Sequence, residues 1–113
     1  MSRIYYPECF VAVDAGEDRD AFECDDAEVW LETESILISY FDDDGIVVLE
    51  GWPEKATDSP ETKPGSWKLS ARSRPRRAFL RPMDEAPGSY TGEIDEQGDI
   101  AAWRLRLGEP ESN

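Results

Sequence analysis

Residues 35–52 read SILISYFDDDGIVVLEGW. Two runs rich in β-branched and aromatic residues, Ser35–Phe41 and Ile46–Trp52, flank Asp42-Asp43-Asp44-Gly45. An Asp-Gly step supplies the positive φ that a tight turn needs, so the segment predicts a β-hairpin, ended by Pro53. A second hairpin is expected where Tyr90–Ile94 leads through Asp95-Glu96-Gln97-Gly98 into Asp99–Leu107. On that last strand, alternation puts Ala101, Trp103, Leu105 and Leu107 on the core face and Ile100, Ala102, Arg104 and Arg106 on the other.

Outward from these hairpins, the rest of the chain reads the same way. Arg3–Tyr6 and Cys9–Asp14 are two short strands, or one strand bent at Pro7. Glu28–Thr33 is a strand. Trp67–Ser73 alternates, with Trp67, Leu69 and Ala71 on one face; Pro75 marks a bulge or turn, and Ala78–Arg81 continues as strand up to Pro82. Residues 54–65 have no apolar anchor and predict a mobile surface loop, and 109–113 predict a frayed tail. Glu17–Asp26 is the most polar stretch and fits either a loop or a helical turn anchored by Phe22. About seven or eight short strands at this spacing predict a single all-β domain over 1–108, a mostly antiparallel sandwich or small barrel. The alternative is an α+β fold with one short helix within 17–27.

Charge is distributed in blocks. Residues 1–62 carry 18 Asp/Glu and 3 Lys/Arg, residues 63–82 carry 7 Lys/Arg and no acid, and residues 83–113 carry 8 acids and 2 Arg, for a net charge of −14. Twelve aromatics, among them four Trp, set the chain apart from disordered acidic sequences. No basic leader followed by an apolar core is present, and no apolar run approaches the ~18 residues that span a bilayer. Anionic lipid would repel such a chain, so a soluble, cytoplasmic protein without membrane contact is expected. Cys9 and Cys24 read as buried or half-buried thiols.

Catalytic signatures are weak. The chain has no His, which removes Ser-His-Asp and Cys-His chemistry and the side chain best suited to proton transfer near neutral pH. Asp42-Asp43-Asp44-Gly45 lacks the alternation of a calcium loop, two Cys cannot complete a structural zinc site, and no glycine-rich phosphate fingerprint occurs. The expectation is a non-enzymatic protein without metal or cofactor.

Binding is what remains. Asp14, Glu17, Asp18, Asp20, Glu23, Asp25, Asp26, Asp42, Asp43 and Asp44 are the candidate partner-binding residues. DNA presents one charge per ~1.7 Å of axis, and a protein that places carboxylates densely can occupy a basic groove built for nucleic acid. That is the physical logic of inhibitors of the anti-restriction and anti-CRISPR type, which share charge and size and not one sequence motif, so the chain is assigned to no family. The ordinary reading of the same acids is that they keep a small β protein soluble. Arg72, Arg74, Arg76, Arg77 and Arg81 form a candidate basic patch; an overall charge of −14 disfavours direct nucleic-acid contact there and favours pairing with acid-rich neighbouring strands. Two further readings are a module that binds through Trp30, Tyr40, Trp52 and Trp67, and a homodimer joined through the acidic and basic blocks.

Overall fold

The computed structural model describes residues 3–14, 22–42, 45–53, 65–71, 76–96 and 99–111. Eight antiparallel strands close into a barrel in simple chain order: β1 (Ile4–Asp14), β2 (Phe22–Leu31), β3 (Ile36–Asp42), β4 (Gly45–Pro53), β5 (Trp67–Ala71), β6 (Arg76–Pro82), β7 (Ser89–Glu96) and β8 (Asp99–Arg106). The expected all-β fold is therefore present as a small barrel. Closure is made by β1, which pairs with β2 along most of its length and with β8 from Phe10↔Arg106 to Asp14↔Ala102.

The two hairpins read from the sequence are β3–β4 and β7–β8. Their innermost pairs are Asp42↔Gly45 and Glu96↔Asp99, and Gly45 has φ +116°. Trp67 and Leu69 on β5 and Trp103 and Leu105 on β8 face the interior, with Ala71, Ala101 and Leu107 at its margin. Ile100, Ala102, Arg104 and Arg106 face out, as alternation requires. At eight strands a barrel has just enough room for its own side chains. Here Val11, Val29, Ile38, Leu49, Leu80, Ile94 and Trp103, among others, fill it as one apolar cluster.

Two bulges hide the first hairpin in the sequence. Between Tyr6↔Val29 and Cys9↔Ala27 the extra residue is on β1, beside Pro7; between Cys9↔Ala27 and Val11↔Cys24 it is on β2, at Asp25-Asp26. Pro7 thus bends one continuous strand, and Asp25 and Asp26 both point to solvent while Cys24 and Ala27 point in. The α+β alternative is overturned over 22–27, which is strand; residues 17–21 lie outside the described set. No helix occurs among the described residues, and none is long and apolar enough to cross a membrane.

Residues 54–64 of the expected loop lie outside the described residues, and Gly65 ends it in a turn with φ +86°. Of the tail at 109–111, Glu111 donates its N–H to the Tyr5 carbonyl (2.8 Å), alongside β1.

Candidate functional site

In an up-and-down barrel, alternate connections fall at the same end. The strand termini at Asp14, Phe22, Asp42, Gly45, Ala71 and Arg76 therefore gather at one rim, and Ile4, Leu31, Ile36 and Pro53 at the other. Of the acidic candidates, Asp14, Glu23, Asp25 and Asp26 are exposed toward the first rim, where the backbone of Asp42 also lies. Glu17, Asp18, Asp20, Asp43 and Asp44 lie outside the described residues.

The strands divide the barrel wall by charge. β1–β4 contain Glu8, Asp14, Glu23, Asp25, Asp26, Glu28, Asp42 and Glu50 and no Lys or Arg. β5–β8 contain Lys68, Arg76, Arg77, Arg81, Arg104 and Arg106 against Glu93, Asp95, Glu96 and Asp99. Because the strands follow chain order around the barrel, these sets are opposite halves of one wall.

The basic candidates do not share one face. Arg76 is buried at the end of the interior, 5% exposed, whereas Arg77 points outward opposite Asp95. Arg81 is half-buried on the same outward side, four residues further along β6. Arg72 and Arg74 lie outside the described residues. The β6–β7 register sets Arg76 opposite Glu96 and Arg77 opposite Asp95. On β8, Arg106 lies over the Phe10 ring at 5.2 Å from its centroid.

The aromatic candidates split as well. Tyr40 (3% exposed) and Trp67 (7%) belong to the core, while Trp30 is half-buried on the outer face and Trp52 is 55% exposed. Trp30 stacks on Tyr5, with ring centroids 5.0 Å apart and planes 19° from parallel. Tyr5 donates its hydroxyl to Glu28 Oε2 (2.5 Å), and that hydrogen bond to an anion pushes its pKa up to about 12. A cleft of about 280 Å³ opens between Trp30 and Trp52, lined also by Leu37, Glu50, Glu32 and Arg3. At its mouth Arg3 pairs with Glu32 at 3.5 Å.

Sequence reasoning missed the outer face of β3–β4. Leu37 and Val48 are half-buried there, and Phe41 and Ile46 are exposed opposite one another. The signal was present: neither run alternates with polar residues, which implies an apolar outer face as well as an apolar inner one.

Cys9 and Cys24 are free and buried; burial raises both thiol pKa values, and Cys24 additionally donates to Asp26 Oδ1 at 2.8 Å. Among the described residues no three Cys, Asp or Glu side chains converge as metal ligands would. Comparison of the chain with protein-family models, with curated proteins and with solved structures found no match.

Proposed function

We propose that this is a non-enzymatic binding protein whose β1–β4 wall docks on a basic surface of a partner protein, a surface that otherwise receives nucleic acid. The observation that carries this reading is the partition of charge: eight acids and no base on β1–β4, six bases and four acids on β5–β8. Acids that served solubility alone would be spread over the wall, with both signs interspersed. A one-sided field instead orients the molecule as it approaches a positive partner and raises the association rate.

Carboxylates alone make a weak, salt-sensitive contact. Phe41, Ile46 and Trp52, each more than half exposed on the outer face of β3–β4, supply the desolvated anchors that a stable interface needs. Three such residues on two adjacent strands supply apolar contact area on this wall. The two free, unpaired thiols fit action in a reducing compartment such as the cytoplasm.

The test is capture at low salt on the immobilised chain, followed by displacement with duplex DNA. A captured basic protein that DNA displaces, and that higher salt releases, is the expected result. Capture that DNA and salt leave intact, or a chain that binds only a second copy of itself, would contradict the proposal.

A further inference from the structure

The geometry points to the cleft between Trp30 and Trp52 as a receptor for one arginine side chain of the partner, an inference that rests on the docking role proposed above. Trp30 on β2 lies opposite Leu37 on β3, and Leu37 opposite Glu50 on β4; Trp52 follows Glu50 on the same outward side of the strand. Two indoles and an aliphatic side chain thus line a cleft that also includes the Glu50 carboxylate.

Chemistry selects the occupant. An indole face attracts cations through its quadrupole, more strongly than the rings of Tyr or Phe do. Guanidinium is planar, weakly hydrated and able to stack on an indole while its N–H groups reach a carboxylate; a lysine ammonium is a compact, strongly hydrated charge. Phosphate would meet two carboxylates, Glu32 and Glu50, against Arg3 alone. At about 280 Å³ the cleft has room for a single side chain. Trp30 is held in place by its stack on Tyr5, so part of the receptor is formed before binding.

The experiment follows the four indole N–H resonances of the whole protein at low salt during titration with N-acetyl-arginine methylamide. The controls are the citrulline analogue, equal in shape but neutral, and the lysine analogue. The arginine compound should move the Trp30 and Trp52 resonances and leave those of Trp67 and Trp103 in place. The citrulline compound should bind at least about threefold more weakly, and Glu50→Gln should cause a loss of similar size. Trp52→Ala should abolish the shift at Trp30. Equal binding of the arginine and citrulline compounds, or shifts at all four indoles, would overturn the inference. The two proposals fail separately. If Glu50→Gln leaves capture of a DNA-displaceable partner intact while Asp25→Lys with Asp26→Lys abolishes it, the arginine receptor is wrong and the docking wall stands. If the cleft takes the arginine compound but no such partner is captured, the docking role is what fails.

Discussion

Phe41 and Ile46 face each other across the β3–β4 ladder with both side chains outside the barrel, 59% and 61% exposed. A cross-strand pair of this kind contributes roughly 0.2–1 kcal/mol to the sheet. The double variant Phe41→Thr/Ile46→Thr keeps β-branched residues on the strands and should lose no more than about 1 kcal/mol in urea unfolding. Its affinity for a captured partner should fall at least about tenfold, as for a truncated interface anchor. Ile38→Ala, one position inward from Leu37 on the same strand and fully buried, should show a stability loss of about 2–5 kcal/mol.

Gly92 has a different role. It sits between Leu80 on β6 and Trp103 on β8, and a Cβ there would lie 1.7 Å from the Phe79 carbonyl oxygen. Backbone, unlike the end of a side chain, cannot swing aside, so Gly92→Ala must pull β7 from β6. Chemical denaturation should show a loss of about 3 kcal/mol or more, at the upper end of single substitutions. Gly88→Ala meets no atom within 4 Å but must adopt φ +86°, and should lose about 1 kcal/mol through backbone strain alone. Equal losses at the two glycines would mean that the close approach of β6 and β7 is not what Gly92 provides.

Tyr5 should titrate late. Its hydrogen bond to Glu28 favours the neutral phenol and pushes the pKa from 10.0 up to about 12. A pKa raised in the folded state means that the contribution to stability is complete below the unfolded value and is lost as pH climbs from about 10 to about 12. Phenolate absorbance, with Tyr5→Phe to assign the step, should show one tyrosine ionising near the upper value. Glu28→Gln should bring it back toward 10.0, because the strongest cause of the shift is gone. A Tyr5 step that stays put in Glu28→Gln would show that Glu28 is not the cause.

Both thiols should be inert in the native state. Cys9 is fully buried and receives the Gly108 N–H at 3.5 Å; Cys24 is nearly buried and donates to Asp26. Burial raises both pKa values, so little thiolate is present at mildly alkaline pH. Ellman's reagent should find no reactive thiol in the folded protein and two in denaturant. Rapid labelling of Cys9 in the native protein would place its strand outside the closed barrel.

The sequence exposed the hairpins because the turn chemistry and the strand pattern agree there. Asp44-Gly45 and Gln97-Gly98 sit between runs whose inward residues are Ile38, Val47, Trp103 and Leu105, and each of these faces the core. It concealed the start of β2 because Asp25 and Asp26 share a bulge, which places two consecutive acids outside and breaks the two-residue period. It also concealed which aromatics were free. Tyr40 and Trp52 lie on adjacent strands with similar neighbours, and only the register sends one inward and the other outward. Clustering in sequence also does not make one patch of the β6 arginines, because Arg76 and Arg77 are consecutive on a strand and point to opposite sides. Segregation of charge between the two halves of the wall follows from strand order in a closed barrel, which no local pattern specifies.

A docking face on the β1–β4 wall makes the charge of that wall set the rate of approach to the partner. The most direct measurement is the association rate with the DNA-displaceable partner at low salt, for Asp25→Lys/Asp26→Lys on that wall and Arg104→Glu/Arg106→Glu on the opposite one. The first variant should associate at least about tenfold more slowly, with a shallower salt dependence, and the second no more slowly than the parent protein. Equal slowing by both variants, or none by the first, would contradict it.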